Sequence, residues 1–351
     1  MTADVPVDEA PSFAGLPDLA SRRLGGSVVA ANDELFAERE NLIKPADPAF
    51  SAYTFGHKGQ VMDGWETRRR REPGSDWAVV RLGVPGIVRG VVVDTSYFTG
   101  NYPPEISLEG AAVDGYPSPE ELQGADWTPL VPRSPARGDT RNTYPVQGSP
   151  WVTHVRLRQY PDGGVARLRV HGAPVPDPRF LPGDVLDLAA LVNGAAVTGC
   201  SNMHYSSPAN LIGPGEARVM GEGWETARRR DDGNDWVEIA LAGEGTPVLA
   251  ELDTSCFVGN APGWARLSSS GTELLPRTRL QPDTRHRFRL ATAAEITTAR
   301  LDVYPDGGMA RLRLWGRLSP TGREALVARW YDALPTGLAR RLPPDWQASL
   351  G

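Results

Sequence analysis

The sequence predicts an all-β protein of two tandem jelly-roll or β-sandwich domains, followed by a helical tail at the C-terminus. Three observations support this fold class. Long motifs occur twice in the chain, apolar runs of strand length recur in each copy, and 38 glycines and 32 prolines separate these runs. Many short strands with turn residues between them are typical of antiparallel sandwiches and jelly rolls.

An internal duplication spans the chain. One offset of 159 residues relates the first two motif pairs, whereas the third pair is related by an offset of 144 residues. Changing offsets indicate that loops differ in length while the framework is kept. The repeated motifs are DGWETRRRR at 63–71 and EGWETARRR at 222–230, DTSYFTGN at 94–101 and DTSCFVGN at 253–260, and YPDGG at 160–164 and 304–308.

The length of the repeat favours two globular domains. A period near 160 residues is too long for a solenoid, whose units run about 20–50 residues, and it matches a common domain size. We expect one domain over residues 1–175 and a second over 176–351, with the Gly/Pro-rich stretch 172–178 as the linker. Apolar residues at helical spacing predict a helix over 321–333, packed outside the second sandwich.

Two β-branched runs follow each other early in the first copy. Residues 77–82 and 88–94 have strand length, and Val84-Pro85-Gly86 is the expected turn between them. We therefore predict two separate strands in this part of the first domain.

A second pair of strands surrounds the YPDGG motif. Residues 151–158 alternate between apolar and polar, and residues 165–170 alternate after the motif. We expect the motif to be a tight hairpin turn, with Asp162 and its copy Asp306 as ordinary turn residues. Residues 299–303 and 309–314 repeat the arrangement.

Composition limits the possible partners and location. The formal net charge of −6 gives no reason to expect nucleic acid or an anionic membrane as a partner. No apolar run approaches the roughly 20 residues that span a bilayer, and the first residues lack the basic and apolar regions of a signal peptide. Cys200 and Cys256 make no disulfide framework. We expect a cytoplasmic protein.

The repeated Trp-Glu-Thr motif places basic residues on both faces of a strand. Alternation puts Glu66 and Arg70 on one face and Arg69 on the other. These residues cannot all be core, so one face is expected to line a pocket or to pack against another copy. A structural ion-pair ladder is the alternative for the arginines. Glu66 and its copy Glu225 are the stronger functional candidates.

The repeated Asp-Thr-Ser motif begins where an apolar strand ends. Asp94, Ser96 and Asn101 therefore lie at a strand exit, where binding groups often sit on a rigid scaffold. The Gly-Asn step suggests a loop that curls over its own polar groups. The alternative is that Asp94 and its copy Asp253 only cap this loop by hydrogen-bonding its backbone.

Metal and cofactor motifs are not visible. The five histidines show no metal-ligand spacing, and we find no Gly-rich phosphate loop and no Ser/His/Asp or Cys/His arrangement. We therefore expect neither a metal nor a cofactor. The histidines are His57, His154, His171, His204 and His286.

The motifs resemble those of the allantoicase family. Residues 55–69 and 94–103 carry the resemblance, which extends over nearly the whole chain and includes the duplication. It implies two jelly-roll domains related to galactose-binding-like modules. It also implies hydrolysis of allantoate to ureidoglycolate and urea in the degradation of allantoin and purines.

The second repeat departs from the family pattern. That repeat usually has a histidine and a lysine within the Asp-Thr-Ser loop, where this chain has Cys256 and Val258. Asn202 stands where the first repeat keeps Asp33. These departures favour the first repeat as the working site.

The residues suit the chemistry that the resemblance implies. Allantoate carries one carboxylate and two ureido groups on a single carbon, so releasing urea requires C–N cleavage and addition of water at that carbon. A carboxylic acid can protonate the departing ureido group, and a carboxylate can take a proton from water. Glu66 and Asp94 are the expected catalytic residues. Arginine suits the substrate carboxylate, whereas Asn and Ser suit the ureido amides.

The remaining candidates are substrate-binding residues and the copies in the second repeat. In the first repeat they are Asp33, Arg69, Arg70, Ser96, Asn101 and Arg141. The second-repeat equivalents are Glu225, Asp253, Asn260 and Arg285.

A non-catalytic protein is the alternative. Sandwiches of this kind commonly serve as tandem carbohydrate- or ligand-binding modules, although such modules more often carry a secretion signal. In either case the expected partner is a small molecule, which is allantoate for the enzyme. Two similar domains with arginine-rich faces also make a homo-oligomer the expected assembly.

Dialysis against a chelator should leave activity unchanged, because no ligand cluster with a recognised spacing is present. The measurement is urea release from allantoate before and after dialysis. Activity that is lost on dialysis and returns with manganese or zinc would contradict this expectation.

Overall fold

The structure is a computed structural model that describes residues 11–291 and 293–343. The chain forms two compact units that divide between Ala173 and Pro174, and residues 333–341 are assigned to the first unit. The domain limits that the sequence suggested, 1–175 and 176–351, stay a prediction. Within the described ranges, no helix has both the length and the apolar character needed to cross a membrane.

The first repeat is built almost entirely from strands. Short 3-10 segments occur at Arg22–Leu24 and Arg39–Ile43. The other elements are β1 (Ser27–Ala31), β2 (Phe55–Gly56), β3 (Gly59–Gln60), β4 (Trp65–Glu66), β5 (Asp76–Asp94), β6 (Glu105–Ala111), α1 (Pro119–Gln123), β7 (Thr128–Pro135), β8 (Arg141–Pro145), β9 (Trp151–Tyr160), β10 (Gly164–Val165) and β11 (Arg167–Pro174).

The second repeat has the same architecture. Its 3-10 segments are Pro178–Phe180, Leu191–Asn193, Pro208–Ile212 and Met220–Glu222. Its strands are β12 (Leu186–Asp187), β13 (Ala196–Cys200), β14 (Trp224–Glu225), β15 (Asp235–Asp253), β16 (Trp264–Ser269), β17 (Thr272–Arg279), β18 (Arg285–Arg289), β19 (Ile296–Tyr304), β20 (Gly308–Met309) and β21 (Arg311–Leu318). The helices α2 (Pro320–Ala333) and α3 (Thr336–Ala339) follow.

Both repeats use one strand order, and both are jelly-roll sandwiches. In the first repeat the order is β1-β5-β9-β6-β7, with β8 and β11 also paired to β5. In the second repeat β13, β15, β19, β16 and β17 occupy the same positions, and β18 and β21 pair with β15. The all-β prediction is therefore confirmed, and α2 confirms the helix predicted for the tail, with Leu326 and Trp330 buried.

The predicted turn at residues 84–86 is wrong. β5 is continuous from Asp76 to Asp94, and its register to β9 jumps, with Arg81 opposite His154 and Gly86 opposite Val152. Residues 82–85 therefore form a bulge that bends the strand. A Cβ on Gly86 would lie 2.1 Å from the Ala173 carbonyl oxygen, so the close neighbouring strand requires glycine here.

The predicted hairpin around the YPDGG motif is also wrong. β9 pairs with β5 and β6, and β11 pairs with β5, so the two strands that flank the motif do not pair with each other. The motif instead crosses between strands, and β10 at its end pairs with β4. Hydrophobic alternation identified the strands but could not show which neighbours they pair with.

Each repeat closes its core around one tryptophan and one phenylalanine. Trp65 and Phe98 are 0% and 1% exposed in the first repeat, and Trp224 and Phe257 are fully buried in the second. The motif glycine Gly164 packs directly on Phe98, because a Cβ there would lie 2.1 Å from the phenylalanine ring. The tryptophan of each repeated Trp-Glu-Thr motif is therefore a core residue.

Substituting Gly164 with alanine should destabilise the first repeat by about 1–3 kcal/mol, the usual cost of overpacking a core. Gly15→Ala is the matched control, because its Cβ would meet no atom within 4 Å. Urea unfolding of both variants measures the effect. Equal unfolding midpoints for the two variants would show that the contact with Phe98 can relax.

Candidate active site

The segment Pro161–Gly164, called here the PDGG turn, holds three parts of the first repeat together. The proline carbonyl accepts the Asp76 N–H at 3.1 Å, and the carbonyl of the first glycine accepts the Thr67 N–H at 3.1 Å. The N–H of the second glycine donates to the Asn101 carbonyl at 2.7 Å. The turn therefore fixes the start of β5, the end of β4 and the end of the Asp-Thr-Ser loop relative to one another.

A cleft of about 550 Å³, called here the first cleft, lies where these three parts meet. Its volume lies within the range of small-molecule sites. The residues that line it are Phe36, Glu66, Thr67, Arg69, Arg70, Gly100, Asn101, Tyr102, Pro104, Pro161, Asp162 and Gly163. The cleft therefore combines two carboxylates, two arginines and one amide with an aromatic wall.

Glu66 is held rigidly at the edge of the first cleft. Its backbone pairs with Gly164 and with Ala37. Its Oε1 accepts a hydrogen bond from Asn101 Nδ2 at 2.7 Å. Burial raises the pKa of the Glu66 carboxyl, although the Asn101 hydrogen bond opposes this shift. A carboxyl with a raised pKa is suited to carry a proton to a leaving group.

The two arginines of the cleft are held differently. Arg69 is exposed and lines the cleft. Arg70 donates from Nη1 to Asp76 Oδ1 at 2.7 Å, and its backbone N–H donates to Asp162 Oδ2 at 2.8 Å. Asp76 is 1% exposed and also accepts from Asn32 Nδ2 at 2.7 Å. Arg70 is therefore fixed on both sides, whereas Arg69 is available to a ligand.

Asp94 lies outside the described lining of the first cleft. It is 4% exposed, and its Oδ1 accepts the N–H and the hydroxyl of Ser96 at 2.9 and 2.6 Å. Arg141 approaches its Oδ2 at 4.0 Å from the other side. The structure therefore groups Asp94, Ser96 and Arg141 with one another, and none of the three is among the residues that line the first cleft. Their catalytic and binding roles stay predictions.

Asp33 supports the strand that carries Glu66. Its Oδ1 accepts the backbone N–H groups of Leu35 and Arg68, and its Oδ2 accepts Arg68 Nε at 2.6 Å. Burial alone would raise the pKa of Asp33, but these hydrogen bonds lower it overall. Asp33 is not among the residues that line the first cleft, so a direct contact with substrate stays a prediction.

Asn202 keeps the structural part of this role in the second repeat. Its Oδ1 accepts the N–H groups of His204 and Ala227 at 3.0 Å each. Ala227 occupies the position of Arg68, so the carboxylate and its arginine partner are both replaced. The departure at Asn202 therefore removes an exposed ion pair and keeps the backbone hydrogen bonds.

The second repeat forms a matching cleft of about 530 Å³, called here the second cleft. Glu225 Oε1 accepts from Asn260 Nδ2 at 2.5 Å. The described lining residues are Tyr205, Glu225, Thr226, Arg228, Arg229, Gly259, Asn260, Ala261, Pro305, Asp306 and Gly307. Cys256 and Val258, which differ from the family pattern, are not among the described lining residues of the second cleft.

The other second-repeat candidates repeat the first-repeat arrangement. Asp253 is 1% exposed and accepts the N–H and hydroxyl of Ser255. Arg285 pairs with Glu216 at 2.5 Å and lies 3.8 Å from Asp253. Neither Asp253 nor Arg285 lines the second cleft.

One ion pair distinguishes the two clefts. Arg229 pairs with the buried Asp235 at 2.9 Å, as Arg70 pairs with Asp76. Arg229 also donates from Nε and Nη2 to the two carboxylate oxygens of Asp231, at 3.0 and 3.1 Å. The arginine of the second cleft therefore has an additional carboxylate beside it.

Sequence reasoning missed several lining residues. Asp162 and Asp306 line the two clefts, although the turn motif suggested only a local role. Thr67 lines the first cleft as well, and its hydroxyl accepts the Gly163 N–H at 3.3 Å. The sequence signal for Asp162 and Asp306 was the repeated Tyr-Pro-Asp-Gly-Gly motif, because five repeated residues are more than a simple turn requires.

Potential metal ligands are not clustered in the part of the chain that the structure describes. Across residues 11–291 and 293–343, no three side chains of His, Cys, Asp or Glu are grouped so that they could hold an ion. The expected independence of metal stays a prediction for the chelator experiment.

Comparison with known proteins identifies the family. A family model described as the allantoicase repeat matches residues 17–175 and 186–319. The chain belongs to the allantoicase family. A probable allantoicase from Nocardia farcinica is 61% identical over 314 residues, covering 87% of this chain and 95% of that protein.

Other allantoicases agree over similar lengths. A probable allantoicase from Streptomyces coelicolor is 50% identical over 350 residues, covering 94% of this chain and 92% of that protein. The crystal structure of the Saccharomyces cerevisiae allantoicase superposes with a TM-score of 0.74 at 32% identity, covering 85% of this chain and 92% of that one. The resemblance read from the motifs is therefore confirmed, together with the duplication.

Glu66→Gln should change how stability depends on pH. Because burial raises the folded-state pKa of Glu66, the carboxyl favours folding only while protonated, and this contribution is lost as pH rises through the raised pKa. The glutamine does not titrate. Relative to wild type, the variant should therefore gain stability as pH rises from about 4.3, the ordinary glutamate pKa, through the raised pKa of Glu66. Urea unfolding across this range measures the difference, and a constant difference would show that Glu66 is not desolvated.

Proposed function

We propose that this chain hydrolyses allantoate to ureidoglycolate and urea, and that the reaction takes place in the first cleft. Membership of the allantoicase family supports the reaction, and it places the chain among hydrolases of allantoin and purine degradation. The observation that supports the location is the Glu66–Asn101 pair at 2.7 Å in a cleft that also holds Arg69.

Glu66 is the proposed general acid. Its raised pKa, caused by burial, lets it hold a proton nearer to neutral pH than an exposed glutamate can. Donating this proton to the nitrogen of the departing ureido group makes urea a neutral leaving group. Positioned acids of this kind typically contribute about 10²–10⁴-fold to a rate.

Arg69 is the proposed clamp for the substrate carboxylate. Its guanidinium is exposed at the cleft, and arginine can hold a carboxylate through two parallel hydrogen bonds. Asn101 is the proposed partner for a ureido amide. Asp94 and Ser96 serve this arrangement indirectly in the proposal, because their hydrogen bonds shape the loop that ends at Asn101.

The ion pairs of Arg70 and Arg229 favour the first repeat for an anionic substrate. Asp231 accepts two hydrogen bonds from Arg229, whereas Arg70 forms its ion pair with Asp76. Among the described residues Arg229 is therefore paired with two carboxylates and Arg70 with one, although Glu72 holds the position of Asp231 in the first repeat. Between exposed groups this difference is modest, so it supports a preference between the clefts rather than an exclusive site.

The alternative of a non-catalytic binding module is not favoured. The family model covers both repeats, and the similar proteins described above are named as allantoicases. We further propose that the protein acts in the cytoplasm and as a homo-oligomer. Support for these two points comes from the sequence alone, from two cysteines that form no disulfide framework and from the arginine-rich faces.

Glu66→Gln should lower kcat for urea release by roughly 10²-fold or more while KM changes little, because the lost proton acts in the transition state. Glu225→Gln should have a smaller effect. Glu120→Gln, an exposed glutamate on α1, is the control. If Glu66→Gln and Glu225→Gln each lowered kcat to about half of the wild-type value, both clefts would contribute equally, contrary to the proposal.

Arg69→Gln should mainly raise KM for allantoate, because it removes a contact made to the carboxylate in both ground and transition states. Arg228→Gln is the matched variant in the second cleft and should raise KM less. Steady-state kinetics of the two variants decide between the clefts, and a larger rise in KM for Arg228→Gln would place the substrate in the second repeat.

A further inference from the structure

The reaction needs a second proton-transfer group, and the first cleft offers one. Water must lose a proton as it adds to the substrate carbon, so a carboxylate is needed besides the acid. Among the described residues that line the first cleft, the carboxylates are Glu66 and Asp162. Asp94, the other catalytic residue that the sequence predicts, is buried outside that lining, and its Oδ1 accepts two hydrogen bonds from Ser96.

Asp162 is positioned by an interaction that leaves half of its carboxylate available. Its Oδ2 accepts the Arg70 N–H at 2.8 Å. Arg70 is itself anchored to the buried Asp76, whose own N–H donates to the Pro161 carbonyl at 3.1 Å. These three hydrogen bonds and the peptide bond between Pro161 and Asp162 form a closed ring through the PDGG turn. No described residue donates a hydrogen bond to Asp162 Oδ1, and the side chain is only half-buried.

The second repeat builds the same ring. Asp306 Oδ2 accepts the Arg229 N–H at 2.8 Å, Arg229 pairs with Asp235 at 2.9 Å, and the Asp235 N–H donates to the Pro305 carbonyl at 3.1 Å. An aspartate that only completed a tight turn would not require a buried ion pair behind it. The ring holds the carboxylate against the cleft in both copies.

We propose that Asp162 is the general base of the reaction in the first cleft. This inference rests on the proposed function. Asp162 takes a proton from water as the water oxygen bonds to the carbon that carries the carboxylate. The C–N bond to one ureido group breaks, its electron pair stays on nitrogen, and that nitrogen takes the proton from Glu66. Urea and ureidoglycolate leave, and proton exchange with solvent restores both carboxyls.

Asp162→Asn is the direct test, because asparagine keeps an oxygen that can accept the Arg70 N–H while it removes the basic carboxylate. The expected result is a loss of kcat of about 10²-fold or more with KM changed less than about threefold. The acid limb of the kcat–pH profile should also disappear, because that limb reports protonation of the base. A residue that only shapes the turn would not remove this limb.

Two further variants make the result specific. Asp139→Asn is the matched control, because that carboxylate accepts the Tyr97 N–H at 2.8 Å and lies outside the described cleft lining. Its kcat should stay within about threefold of wild type. Asp94→Asn compares the two candidate bases, and the proposal expects a smaller loss of kcat for Asp94→Asn than for Asp162→Asn.

The outcomes separate this inference from the proposed function. If wild type releases no urea from allantoate, the proposed function fails. If wild type is active and Glu66→Gln is impaired, but Asp162→Asn keeps kcat within about threefold and its acid limb, the inference is overturned. If Asp162→Asn does not fold, Asp162→Glu replaces it. That variant keeps the charge but moves the carboxylate, and it should lose at least about tenfold in kcat, whereas wild-type kcat would overturn the inference.

Discussion

The close packing of the PDGG turn against the Asp-Thr-Ser loop is the constraint on which the candidate site depends. Gly164 can lie on the face of Phe98 only because it has no side chain, and its N–H then reaches the Asn101 carbonyl. Asn101 is thereby held where its amide meets Glu66. A side chain on this glycine would separate the two walls of the cleft.

The same constraint explains why each repeated motif has the same length in both copies, although the motifs lie far apart in sequence. Glu66 comes from β4, Asn101 from the loop after β5, and Asp162 from the turn after β9. The segments are held together by backbone hydrogen bonds, and the Asp162 side chain accepts the Arg70 N–H. Backbone contacts of this kind require each segment to keep its length. Insertions of different size are therefore confined to the stretches between the motifs.

The cost of burying two aspartates indicates that they serve the site rather than stability. Asp76 and Asp235 are each 1% exposed, and one carboxylate oxygen of each has no hydrogen-bond partner among the described residues. Burying a charge incompletely costs stability. Well-packed apolar residues in place of these ion pairs would stabilise the fold more. We therefore interpret Asp76 and Asp235 as residues that orient Arg70 and Arg229.

Local patterns predicted much of the fold and part of the site. Alternation located the strands, and the Trp-Glu-Thr motif identified Glu66. The predictions failed where long-range pairing decides the structure. Gly86, directly after the bulge at residues 82–85, lies against the Ala173 carbonyl, and the position of Asp162 depends on Arg70, which lies 92 residues earlier. The catalytic role of Asp94 stays a prediction, and its hydrogen bonds to Ser96 match the alternative of a loop cap that the sequence left open.

The most direct test of this account is a crystal structure of the Glu66→Gln, Glu225→Gln protein with allantoate bound. The account predicts density for the substrate in the first cleft, with its carboxylate on Arg69 and its ureido-bearing carbon between the residue 66 side chain and Asp162. Substrate bound beside Asp94 and Arg141 instead, with the first cleft empty, would contradict it.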